Sequence, residues 1–175
     1  MHANRTNLTD PQRSVRELAA GFNNRAWDLV EASERTRAEV IEMLDCAYAA
    51  RALWRSAVRD EGAVEMLRAH QLVACANARA NLGAPAMEAA ALAAAHERDH
   101  REGVTDFDHL MTLAANLLAS FQQPGFPHVM EMQEAIARLD PEVDTAEIDV
   151  LCKLLPWPRA RVLAFTRPRT TPVPA

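Results

Sequence analysis

Five glycines divide an otherwise alanine-rich chain of 175 residues. Gly21, Gly62, Gly83, Gly103 and Gly125 are separated by gaps of 41, 21, 20 and 22 residues. Alanine is the strongest helix former, and glycine is the residue most often found just past a helix C-terminus. This punctuation therefore predicts helices of about twenty residues, ended by glycine C-caps. An all-β fold is excluded, because β-branched and aromatic runs are missing and aromatics make up only 5%. Apolar residues at 49% and charged residues at 25% suffice for one buried core.

Hydrophobic spacing places the helices. Asp10-Pro11 is a helix start, and Val15, Leu18, Phe22, Ala26, Leu29 and Val30 follow the i, i+3, i+4 pattern to about Ala32. Thr36 and Glu39 read as a capping box opening a second helix, which runs to about Val58. A third helix is expected from Ala63 to Leu82, ended by Gly83, and a fourth from Ala86 to Glu102, ended by Gly103. The near-continuous alanine of the fourth suits an inner helix between neighbours. Thr105 or Asp106 caps a fifth helix carrying Phe107, Leu110, Met111, Leu117 and Phe121. Pro124 to Pro127 form a loop, followed by short helices over His128–Leu139 and Asp144–Leu155. Pro156 to Ala175 hold five prolines, four arginines and no acid. They are expected to be an irregular basic tail, with Val162 to Phe165 docking as an extended segment.

The expected fold is thus all-α, built from antiparallel helical hairpins. Residues 1–12 form a polar N-terminal segment, 13–122 a helical-hairpin domain, 126–155 two short helices packed on it, and 156–175 the tail.

A net charge of −5 argues against a general nucleic-acid surface, which needs a basic face. No apolar run reaches the ~20 residues of a membrane span, and Met1 to Gln12 carry no apolar signal core. Cys46, Cys75 and Cys152 are odd in number and widely spaced, which fits a reducing, cytoplasmic setting.

The order Phe22-Asn23, Trp27, Leu29, Arg35-Thr36, Ala47, Ala49, Arg51, Trp54, Leu82-Gly83 and Asp106-Phe107-Asp108 resembles a set of small bacterial helical proteins with tetratricopeptide-like hairpins. The resemblance spans Phe22 to Ser120. It implies a fold but no assigned activity.

One motif could carry chemistry. His96-Glu97-Arg98-Asp99-His100 matches H-E-x-x-H, which on a helix turns two histidines to one side for a metal and leaves the glutamate as general base. With Gly103 and Asp106 it resembles the metzincin metallopeptidase signature, in the variant with aspartate as third ligand. That resemblance implies zinc on His96, His100 and Asp106, with Glu97 as base. Against it, Arg98, Asp99, Arg101 and Glu102 read as a solvated helix face, no upstream strand is visible, and Met111 is too close to serve as a methionine turn. The same histidines are similar to the H-x-x-x-H of DinB-like four-helix-bundle metalloproteins, which implies a third histidine from an earlier helix. His70 lies 13 residues before Gly83 and His96 lies 13 after it, so the two stand level in a hairpin. His109 is also level with that helix end. No P-loop, G-x-G-x-x-G, G-x-S-x-G or Cys–His nucleophile pattern is present.

The expected function is a non-enzymatic cytoplasmic interaction module, offering a groove at Trp27, Arg51, Trp54 and Asn77 to a protein or peptide partner, with no cofactor. One alternative is a small metal-dependent enzyme using zinc on His70, His96, His100 or Asp106, with Glu97 as base. A second is a helical homodimer with a regulatory or structural role.

Overall fold

The computed structural model describes residues 10–58, 64–120 and 129–166. Among them the chain forms eight helices and no strand. These are α1 (Asp10–Glu31), α2 (Arg37–Ala57), α3 (Val64–Arg79), α4 (Gly83–Asp99), α5 (Asp106–Ser120), α6 (Val129–Ile136), α7 (Thr145–Leu154) and α8 (Arg159–Phe165). The Arg59–Gly62 break, the loop around Gly125, the first nine residues and the last nine lie outside the described residues.

The α1/α2 and α3/α4 pairs are hairpins. α2 packs on α3, α5 lies against both α3 and α4, and α1 touches α3 as α3 touches α5. The odd-numbered helices α1, α3 and α5 therefore share one face of the stack. The central element is α3, whose residues from Ala69 to Ala78 are all buried. This corrects the expectation for α4, which faces its neighbours through Ala86, Ala89, Ala90 and Ala93 while Leu92 stays exposed. α5 has two apolar faces. Met111, Ala115 and Leu118 join the core of the hairpin stack, with Leu29, Val30, Met43 and Leu72. Leu110, Ala114 and Leu117 join a second core with Met132, Ile136, Ile148, Leu151 and Val162 of α6 to α8.

Local chemistry sets most boundaries. At α2 the Thr36 hydroxyl accepts from the Glu39 N–H at 3.3 Å, and the Glu39 carboxylate accepts from the Thr36 N–H at 2.7 Å. This is the expected capping box. At the end of α1, Arg35 donates to the Leu29 carbonyl at 2.7 Å, satisfying one of the orphan acceptors of the last turn.

The glycines do not play the roles expected of them. α3 ends in a Schellman motif in which Asn81, at φ 58°, takes the left-handed position. The Leu82 N–H donates to the Asn77 carbonyl at 2.9 Å, and the Asn81 N–H donates to the Ala78 carbonyl at 3.1 Å. Asparagine tolerates that conformation, so Gly83 is free to begin α4 instead. Gly103 has φ 80° but sits in the Arg101–Val104 turn, beyond a helix that stops at Asp99. A turn with positive φ at its third residue requires glycine or asparagine there. Gly21 lies inside α1 with open space around its α-carbon. Asn81→Ala is expected to cost about 1 kcal/mol and Asn81→Gly to be near neutral or mildly stabilising, checked by urea denaturation.

The tail also departs from expectation. Residues Arg159–Phe165 form a helix after Pro158, whose fixed φ of −62° suits the residue before a first turn. Val162 is fully buried and Trp157 nearly so, and their contact with the second core holds this helix in place.

Candidate functional site

The shared face of α1, α3 and α5 carries an open cavity of about 580 Å³. Its size falls within the range of small-molecule and peptide-side-chain pockets. α1 supplies Asn23, Trp27 and Glu31, four residues apart and hence on one side of the helix. α3 supplies Glu65, Arg68 and Gln71, and α5 supplies Phe107, Asp108 and Met111. Trp54 closes one end from α2 and Val150 contributes from α7.

The polar floor is internally satisfied. Thr105 caps α5: its hydroxyl accepts from the Asp108 N–H at 3.1 Å, and the Asp108 carboxylate accepts from the Thr105 N–H at 3.0 Å and its hydroxyl at 2.7 Å. Arg68 grips the same carboxylate through two bonds, at 2.7 and 3.1 Å. Gln71 Nε2 donates to the Asp108 carbonyl at 2.7 Å and to Thr112 Oγ1 at 2.9 Å. Burial alone would raise the Asp108 carboxyl, but the Arg68 and Thr105 hydrogen bonds outweigh it and hold the group below the ordinary carboxylate range. The floor is therefore a structural pair rather than a reactive acid. Asp108→Ala removes a cap and orphans several donors, and is expected to cost about 2 kcal/mol. Arg68→Ala should cost about 1 kcal/mol, less than Asp108→Ala, because the buried Asp108 carboxylate loses its charged partner but keeps the Thr105 hydrogen bonds. Chemical denaturation of both variants checks the ranking.

At the rim, the half-buried Glu31 and Glu65 each hold a cation of the chain itself. Glu65 accepts from Arg16 at 3.3 Å, and the Arg16 guanidinium stands 6.0 Å from the centre of the Trp54 ring. Glu31 accepts from Lys153 of α7 at 2.6 Å.

Trp27 and Trp54 thus meet in one cavity, whereas Arg51 and Asn77 do not line it. Asn77 is fully buried and donates to the Tyr48 hydroxyl at 3.0 Å and to the Val73 carbonyl at 2.8 Å. The Arg51 guanidinium stacks 5.1 Å from the Tyr48 ring centre. These three form a separate patch between α2 and α3.

The histidines gather beyond α3 without forming the ligand set of the metal-enzyme alternative. The His70 and His96 ring centres are 6.2 Å apart, and those of His96 and His100 are 4.9 Å apart, all tilted. His100 is the C-cap of α4 with φ −135°, so the second histidine of H-E-x-x-H stands outside the helix on which the motif depends. Glu97 Oε1 lies 2.5 Å from His109 Nδ1, which occupies the carboxylate proposed as a base. Asp106 is exposed in the first turn of α5 and lines a different depression, together with His109. Among the described residues, no three His, Cys, Asp or Glu side chains are placed to hold one metal ion. His70 is nearly buried and its Nδ1 has no hydrogen-bond partner among the described residues. Burial first, then Arg51, His96 and Arg55, push its pKa down to about 4. Burial likewise pushes the Cys75 thiol up to about 12, as befits an inert core thiol.

Sequence reasoning missed Arg16, Arg68 and Gln71. Only Asp108 left a trace, as the fourth residue of a Thr-x-x-Asp cap. No family model, curated protein or solved structure matches the chain.

Proposed function

We propose that the chain is a non-enzymatic helical interaction module that receives a peptide segment of a partner protein in the α1/α3/α5 cavity. One observation carries this reading. Two tryptophans line an open cavity of about 580 Å³ whose buried polar groups already have partners within the chain. Such a cavity gives a ligand apolar and aromatic surface, and it gives a reaction no unspent nucleophile or base. Among the described residues its lining holds no Ser, Cys, His or Lys. Tryptophan is also the residue most enriched among binding hot spots.

The order of neighbours supports the same reading. Each hairpin's first helix touches the first helix of the next, as in stacked tetratricopeptide-like hairpins, where first helices line the concave binding face. None of the helices among the described residues is long and apolar enough to cross a membrane. Free Cys46, Cys75 and Cys152 accord with a cytoplasmic setting.

Panning a random peptide library against the full chain tests the proposal. Peptides should be enriched on the wild type and lose at least about tenfold in affinity for the Trp27→Ala/Trp54→Ala double variant, the loss typical of hot-spot truncation. Circular dichroism must show that the variant keeps its helices. Peptides that bind both proteins equally would place recognition elsewhere.

A further inference from the structure

The rim chemistry points to what kind of side chain enters. Among the described residues, three carboxylates, those of Glu31, Glu65 and Asp108, line the cavity together with Arg68, and Arg16 and Lys153 reach two of them from outside the lining. Arg68 is spent on Asp108 through two hydrogen bonds. The two glutamates line the same cavity as the indole rings of Trp27 and Trp54. Indole faces beside carboxylates recognise organic cations, because the ring quadrupole and the negative charge attract the same group. An anionic side chain that displaced Arg16 would leave Glu65 without a cation and face its carboxylate.

The chain already displays this selection on itself. Arg16 reaches in from α1, with its guanidinium over Trp54 and its NH1 on Glu65. Its fit is poor. The Glu65 contact is long at 3.3 Å, and the Arg16 Nε is buried with no hydrogen-bond partner among the described residues. A buried N–H of a charged group without an acceptor is costly, so this occupant is easily displaced. Lys153, the only lysine in the sequence, donates to Glu31 at 2.6 Å.

Resting on the peptide-binding reading above, we propose that the cavity selects partner segments by a cationic side chain, an arginine guanidinium above all. That side chain replaces Arg16 over Trp54 and on Glu65. Arg16 is thus a built-in competitor that weakens binding until a better-placed guanidinium arrives.

Tryptophan fluorescence of the full chain, titrated with three capped pentapeptides, tests this. The probes are acetyl-Gly-Ala-Arg-Ala-Gly-amide and the same peptide with Gln or Glu at its centre. The arginine peptide should bind at least about tenfold more tightly than the other two. Arg16→Ala and Arg16→Gln should each tighten the arginine peptide by about fivefold and leave the glutamate peptide unchanged. Glu65→Gln should abolish the preference for arginine. Two variants at Arg16 guard against one that fails to fold. Equal or tighter binding of the Gln or Glu peptide would overturn the proposal, as would weaker arginine binding in both Arg16 variants. No measurable binding of the arginine peptide to any of these proteins would do the same. The two readings fail separately. If panned peptides depend on Trp27 and Trp54 but lack cationic residues, the cavity still binds and only the cation selection falls.

Discussion

Leu117→Ala is expected to lower the unfolding free energy by about 3 kcal/mol, and to lower it for the whole chain rather than for one end. Leu117 is fully buried in α5, against the side chains of α6 to α8. The opposite side of the same helix, through Met111, Ala115 and Leu118, completes the core of the hairpin stack. α5 is therefore the common wall of both cores. Truncating Leu117 removes about three methylene equivalents of burial and leaves a void that close-packed neighbours refill only in part. Because one helix serves both cores, loss on one side weakens the anchor of the other. A single cooperative thermal transition shifted to lower temperature is the expected result. Two separated transitions in the variant would show instead that α6 to α8 unfold alone.

The second large effect is a dependence on acid. His70 has a folded pKa near 4, against about 6.5 in an unfolded chain. Between those values the unfolded state takes up a proton that the folded state refuses, so stability rises with pH in that window. The contribution is fully present above about pH 6.5 and is lost as pH falls to about 4, up to ~3 kcal/mol in all. The cause is placement. Burial opposes the charged ring, and Arg51, Arg55 and His96 oppose it further. Asp108 adds a loss of the same sign at lower pH, because its carboxyl is held below the ordinary range. His70→Leu keeps a similar volume, removes the unpartnered Nδ1 and should flatten the curve between pH 6.5 and 4. Urea denaturation across that range, wild type against His70→Leu, checks it. Parallel curves would assign the acid sensitivity to other groups.

What the sequence makes legible follows from the range of each interaction. The Thr36–Glu39 box and the helical stripes rest on neighbours three or four residues apart, so pattern alone finds them. The end of α3 is not legible in the pattern because Asn81 and Gly83 both suit the left-handed position, and Asn81 takes it three residues after Ala78. Pattern alone carries α4 on to Glu102, because His96 to Glu102 hold good helix formers, but the helix stops at Asp99. The Arg101–Val104 turn and the Thr105 cap of α5 impose the stop instead. The sequence points to Val162 to Phe165 as a docking segment but not to its helix, because prolines precede it and burial of Val162 depends on partners in α5 to α7.

The site divides in the same way. Trp27 and Trp54 are visible as large side chains on helical stripes. The Arg68–Asp108 pair is 40 residues apart in sequence and exists only once α3 meets α5. Asn77, expected in the groove with the tryptophans, stands nine residues after Arg68. At 3.6 residues per turn that is two and a half turns, on the far side of α3. The histidine motif has the right spacing, yet spacing implies a shared face only while the helix continues, and α4 ends at Asp99.

The central claim is that the cavity walled by Trp27 and Trp54 is where a partner peptide sits. The three tryptophans, two in the cavity and Trp157 in the second core, give a direct measurement. Indole N–H resonances in a two-dimensional ¹⁵N spectrum, assigned by single Trp→Phe variants, are followed as a panned peptide is added to the full chain. The indole signals of Trp27 and Trp54 should move together and saturate with one peptide per chain, while that of Trp157 stays in place. Movement of Trp157 with Trp27 and Trp54 unchanged would contradict the claim.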